Sequence, residues 1–138
     1  MPEPLGQLKN VLKQHRQSLT KARRTVFAAL QGAEPQTMHH LVAACPAIDR
    51  ASVYRAVALF EKLGIVQRLQ IGWKYKLELS DTFSHHHHHL TCLKCGRVIP
   101  FGEDKELENK LSSIAGSQNF TMQGHQLEIQ GICKACKT

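Results

Sequence analysis

No stretch of this sequence approaches the roughly 18 apolar residues that a membrane-spanning helix needs, so no segment reads as a span. The opening, Met1-Pro2-Glu3-Pro4, has no positive segment leading into an apolar one, and it is read as carrying no targeting signal. Neither H-x-E nor H-E-x-x-H occurs, which removes the usual marks of a zinc deaminase or peptidase. No internal repeat is visible, and low complexity is confined to the five histidines 85–89. Acidic residues are scarce, 11 Asp and Glu against 18 Lys and Arg, for a net charge of +7. That balance favours a polyanionic partner, DNA or RNA ahead of a membrane. At 138 residues the chain holds one domain or two small ones and no large enzyme core. A cytoplasmic location is expected, and there paired cysteines read as metal ligands before disulfides.

What is present is unevenly distributed. Lys9, Lys13, Arg16, Lys21, Arg23, Arg24, Arg50 and Arg55 fall in the first half, and most His, Cys and acidic residues in the second. This asymmetry reads as a nucleic-acid module followed by a metal module. Leu5, Leu8 and Leu12 share one helical face. Thr20 can cap a second helix carrying Val26, Phe27 and Leu30, and Thr37 a third carrying Met38, Leu41 and Val42. Cys45-Pro46 ends the third, since the residue before proline avoids the helical region. Asp49 can cap a fourth whose buried side is Val53, Ala56, Val57, Phe60 and Leu63, with Gly64 as its stop. A hairpin follows, Ile65–Ile71 and Lys74–Leu79 about Gly72. Two short helices and a β-ribbon are the winged-helix plan, in which the N-terminal residues of the second helix enter the major groove. Arg50, Ser52, Tyr54 and Arg55 occupy that position, and Arg23 joins them as a DNA-contact candidate. The plainer alternative is a helical bundle with a solvated basic face.

Residues 81–85 read as a hinge between a winged-helix domain, 1–80, and a second domain, 86–138. In the second, strands are expected over about His86–Leu93 and Arg97–Phe101 and a helix over Glu103–Ala115. Closing strands are expected around Phe120–Met122 and Gln126–Ile129, giving an α+β chain whose second module has an antiparallel sheet. Cys92-x-x-Cys95 and Cys133-x-x-Cys136 supply four soft ligands, the closed tetrahedral set of structural zinc. A redox CxxC normally occurs once beside a βαβ pattern, which is missing here. The odd cysteine, Cys45, reads as a small buried hydrophobe.

The histidine run is internal and leads directly into Leu90-Thr91-Cys92, unlike a terminal affinity tag. The alternative to metal binding is a solvated hinge. In an extended segment side chains alternate, so His85, His87 and His89 would face one way and His86 and His88 the other. One strand could thus serve two sites. Glu78 is available to the first set. His125 and a helix acid (Glu103, Asp104, Glu106 or Glu108) are available to the second, and Glu106 is taken as its candidate. Imidazole with carboxylate suits Fe(II), Zn(II), Mn(II) or Ni(II).

Three segments together resemble the ferric uptake regulator (Fur) family: Ala51-Ser52-Val53-Tyr54-Arg55, His85-His86-His87-His88-His89-Leu90-Thr91-Cys92-Leu93-Lys94-Cys95-Gly96, and Gly131-Ile132-Cys133-Lys134-Ala135-Cys136. The resemblance implies a metal-loaded homodimer on palindromic operator DNA, usually a repressor, with a winged helix joined to an α/β dimerisation domain. It implies that Tyr54 and Arg55 contact the major groove and that Cys92, Cys95, Cys133 and Cys136 hold structural zinc. It places Glu78, His87 and His89 in a hinge sensor site and His86, His88 and His125 in another. The chain departs from the family pattern at His88, often Asp, at Pro100, where many members have an acidic ligand, and at Pro35, near a ligand histidine. The expected effector is Fe(II), with Zn(II) or Mn(II) and a zinc- or peroxide-responsive member as alternatives. A metal buffer or chaperone that does not bind DNA is the competing class. An enzyme is not expected, because four cysteines close the zinc shell.

Overall fold

The computed structural model describes residues 3–84 and 86–137. Met1 and Pro2 of the N-terminal reading, His85 at the end of the expected hinge, and Thr138 lie outside them. The chain divides into two compact units, 1–85 and 86–138.

In the first unit, capping and periodicity fix four helices. α1 (Pro4–Gln14) starts on a proline, whose fixed φ suits a first helical turn, and buries Leu8 and Leu12. Thr20, Thr37 and Asp49 cap α2 (Lys21–Leu30), α3 (Met38–Ala44) and α4 (Arg50–Lys62), their side chains accepting from the amides of Arg23, His40 and Ser52. Each such cap contributes about 1 kcal/mol. β1 (Val66–Ile71) and β2 (Lys74–Leu79) form an antiparallel hairpin from Val66↔Leu79 to Ile71↔Lys74. Gly72 holds φ +62 at the first of its two turn positions, where a primed turn needs left-handed backbone. Gln36 extends the ribbon through reciprocal backbone bonds with Leu77 of 2.9 and 2.7 Å. Helices and ribbon close on Leu8, Leu12, Phe27, Leu41, Phe60, Ile65 and Leu77. Cys45 is fully buried in that core, and burial pushes its thiol pKa up.

The second unit is organised around β3 (His88–Cys92), the middle strand of the order β4-β3-β5. β4 (Val98–Phe101) pairs antiparallel to it, with His88↔Phe101 at one end. β5 (Glu128–Gly131) pairs parallel to it, with His89↔Glu128 at the same end. The sheet is therefore mixed, where an antiparallel one was expected. Between β4 and β5 the chain runs out and back, through α5 (Lys105–Ser117) and residues 118–127. It leaves and re-enters at one end of β3, so β5 must run in the direction of β3. The strand expected around Phe120–Met122 does not form. The Phe120 amide instead donates to Ala115 O at 2.9 Å, closing the end of α5 behind Asn119 at φ 59. The helix also starts later and runs further than the expected Glu103–Ala115, with Asp104 accepting from the Glu106 and Leu107 amides as its cap.

The burial of this unit is unusual. Among its described residues the buried ones are His88, His89, Thr91 and Cys92, while α5 buries none and Leu90, Ile99, Ile129 and Ile132 are exposed. No helix among the described residues is long and apolar enough to cross a membrane.

Phe60, in the centre of the first unit, and exposed Phe120 test where stability resides. Phe60→Ala should lower stability by about 3–5 kcal/mol, seen as an earlier urea midpoint. Phe120→Ala should stay within about 0.5 kcal/mol.

Candidate functional site

The cysteine pairs meet at the end of β3. One Sγ from each of Cys92, Cys95, Cys133 and Cys136 lies within 4.8 Å of the others, and none is in a disulfide. Cys92 leads into a tight knuckle in which its Sγ accepts from the Cys95 amide at 3.5 Å, and Gly96 at φ +77 turns the chain back to Cys92 O. The second knuckle follows β5, and its Cys133 amide donates to the same Cys92 Sγ at 3.3 Å. These amides, Cys133 first and then Cys95, pull the Cys92 thiol down to about 6. The Cys136 thiol is pushed up to about 12, by its contact with Cys133, by burial and by the remaining thiols. Four sulfurs this close cannot all ionise by themselves. As a donor set they fit a divalent cation that takes soft tetrahedral ligands.

A second cluster collects His86, His88, His125 and Glu108. His88, nearly inaccessible, places Nε2 2.7 Å from Glu108 Oε1, and His86 Nε2 lies 3.0 Å from the same oxygen. His125 Nε2 approaches Glu108 Oε2 at 2.7 Å and His86 Nε2 at 3.1 Å. Burial pulls the Glu108 carboxyl pKa up, but the hydrogen bond from His88, the charge of His125 and the bond from His86 together hold it below the usual carboxylate value. Three imidazoles and one carboxylate converging in this way fit a borderline divalent metal. The helix acid in the cluster is Glu108, and Glu106, the sequence candidate, is exposed. Two residues along an α-helix turn the side chain by roughly 200°, so only one of the pair can face the histidines.

The alternate histidines form a separate pair. His87 and His89 stack edge to face with ring centroids 4.6 Å apart, and His89 is buried. His89 Nδ1 lies 3.2 Å from Glu128 Oε1 on β5, a residue the sequence reading did not single out. In the first unit, Glu78 lies buried on β2, where Gln67 Nε2 donates to its Oε1 at 2.7 Å.

The first unit also presents a basic face. Arg50 lies over the Tyr54 ring, 5.5 Å from its centroid, on the exposed side of α4, and Tyr54 is exposed. Arg55 Nη2 donates to Ser52 Oγ at 3.0 Å, and Ser52 Oγ donates to Asp49 Oδ1 at 2.6 Å. The Ser52 hydroxyl lowers the Asp49 carboxyl pKa, burial opposing. Arg23, Thr20, Ser52 and Arg55 line one groove between the starts of α2 and α4, with Arg23 Nη1 held to Ser18 O at 2.6 Å. Glu34, His39 and His40 are exposed. At the hairpin tip, Trp73 is 86% exposed with the Lys74 ammonium 5.1 Å from its ring. The sequence reading missed this pair, although an aromatic side chain beside the turn glycine marks it.

The sequence model described as the ferric uptake regulator family matches residues 14–130. The chain belongs to the ferric uptake regulator family. A ferric uptake regulation protein of Legionella pneumophila is 41% identical over 91 residues, 65% of this chain, and the chain spans 65% of that curated relative's length. The crystal structure of the Vibrio cholerae ferric uptake regulator is 32% identical with a TM-score of 0.73, covering 91% of this chain and 99% of that one. A Pseudomonas aeruginosa ferric uptake regulator structure, described as with manganese, is 27% identical with a TM-score of 0.78, covering 92% and 98%. The α+β architecture read from the sequence is thus the Fur architecture.

Removing the Glu108 carboxylate should weaken divalent-metal binding by more than about tenfold, whereas Glu106→Ala should leave it unchanged. Isothermal titration of the two variants with Zn(II) or Mn(II) reads the difference directly.

Proposed function

We propose that this Fur-family chain is a metal-dependent transcriptional regulator, a repressor, that binds double-stranded operator DNA as a homodimer in the cytoplasm. It acts by binding and not as an enzyme. The observation that carries the reading is the convergence of His86, His88, His125 and Glu108 on the strand that also begins the four-cysteine site. One strand commits its imidazoles and its first thiol to donor clusters, which suits a protein whose shape answers to metal.

In this reading Cys92, Cys95, Cys133 and Cys136 hold structural zinc and close its shell, leaving no open position for catalysis. His86, His88, Glu108 and His125 form one regulatory site. His87 and His89, with Glu78 as the resemblance implies, form the other. The chemistry a divalent cation supplies at such sites is a charged tie between donors that are costly to bury unpaired. Fe(II) is the effector this reading favours, in line with the name of the Legionella relative. The working division is a DNA-binding domain 1–80, a hinge 81–85 and a dimerisation domain 86–138.

Two surfaces support the partners. Leu90 pairs with Ile99 on one side and Ile129 on the other, an exposed apolar row across the sheet that suits a second copy of the chain. On the first unit, Arg23, Arg50, Ser52, Tyr54 and Arg55 supply the cations and hydrogen-bond groups that read phosphates and base edges. Coupling requires that the metal-bound arrangement be the one DNA prefers.

DNA affinity of protein stripped of regulatory metal, titrated separately with Fe(II), Mn(II), Zn(II) and Ni(II), tests the proposal. Affinity should rise with the effector and fall steeply with salt. Tight metal binding with no change in DNA affinity would instead identify a buffer. Arg55→Ala should weaken operator binding by about 1–3 kcal/mol in a gel-shift titration while metal content stays unchanged. Cys95→Ser should lose zinc and fall to monomer on size exclusion. A zinc-free wild-type protein that remained a stable dimer would contradict the structural role.

A further inference from the structure

We propose that Glu128 is a positioning residue of the His87/His89 metal site, holding His89 by its Nδ1 so that Nε2 is the ligating nitrogen. The inference rests on the reading of His87 and His89 as regulatory ligands and adds a residue to that site.

Three observations carry it. First, the parallel register places Glu128 of β5 directly beside His89 of β3, and Glu128 Oε1 lies 3.2 Å from His89 Nδ1. Second, the residue facing His89 from the other neighbouring strand is Pro100, which has no polar side chain, so of its two cross-strand partners only Glu128 offers a carboxylate. Third, Glu128 Oε2 is buried without a hydrogen-bond partner, and His89 itself is buried. A buried carboxylate oxygen without a hydrogen-bond partner is poorly compensated. A divalent cation held by the far nitrogen of the same ring would polarise the Nδ1–H bond toward the carboxylate and balance its charge. A carboxylate hydrogen-bonded to a ligating imidazole fixes its tautomer and ring orientation and raises the basicity of the ligand. The ring of His87, packed edge to face against His89 at 4.6 Å, gains a partner whose direction is already set.

The test uses the full chain carrying Glu108→Ala, so that the His86/His88/His125 cluster is weakened, with Co(II) as the probe read by its visible absorption. Glu128→Ala should lower Co(II) affinity by about 10- to 100-fold, with zinc at the four cysteines unchanged. Glu128→Gln keeps the shape and can still accept from Nδ1–H but lacks the charge. It should weaken Co(II) by a smaller factor and shift the absorption bands, and it carries the test if the alanine variant does not fold. Co(II) affinity and spectrum unchanged in both variants would overturn the inference alone. If His89→Ala also leaves Co(II) binding unchanged, the assignment of His87 and His89 as ligands fails with it.

Discussion

Imidazole and thiol groups have lone pairs and protons that water normally serves, and a strand that buries them must find them other partners. β3 carries this constraint through the whole second unit. Its buried residues are His88, His89, Thr91 and Cys92, where a strand of a typical small domain would bury Val, Ile or Leu. Three neighbouring segments answer the imidazoles and the thiol. α5 brings Glu108 to His88, β5 brings Glu128 to His89, and the closing knuckle brings its Cys133 amide to the sulfur of Cys92. The same out-and-back path that makes the sheet mixed also carries Glu108 to His88 before the chain returns beside β3.

The first unit solves the opposite problem. Its core is apolar or sulfur, apart from the buried Glu78 carboxylate that accepts from Gln67, and it packs against one side of α4. Val53, Ala56, Val57 and Phe60 fix the inner side of α4, which leaves Arg50, Tyr54 and Arg55 no choice but the outer side. The Asp49 cap extends that control into the face itself, since the carboxylate that starts the helix also accepts from Ser52, which accepts from Arg55. A helix of the same sequence without its packed side would present the same groups in no fixed direction.

The first unit was largely legible in the sequence. Thr20, Thr37 and Asp49 are short-range capping signals, and the apolar residues of α1 to α4 recur at helical spacing. Such patterns are local, so the sequence displays them. The cysteine pairs were legible for the same reason. The carboxylates were not. Whether Glu106 or Glu108 faces the histidines depends on where α5 begins, which Asp104 decides by capping a helix that starts two residues later than expected. Glu128 depends on a strand direction set by some 26 intervening residues between β4 and β5. No periodicity encodes that. The strand expected at Phe120–Met122 failed because the end of α5 captures the Phe120 amide, a local helix-ending bond to Ala115 O behind left-handed Asn119 that β-propensity does not weigh.

The histidine run has a consequence for how β3 finds its place. Strand register is normally specified by side-chain identity, because sliding by one residue turns an apolar face outward. Residues 85–89 are all histidine, so sliding within the run exchanges one imidazole for another and changes nothing the run itself can detect. The information that forbids the slip must lie downstream, in Leu90, Thr91 and the first knuckle, where Cys92 N is bonded to Arg97 O and Leu93 N to Gly131 O. The knuckle therefore acts as the origin from which the histidines are counted, and the number of residues between Cys92 and each histidine, odd or even, decides which face that histidine serves.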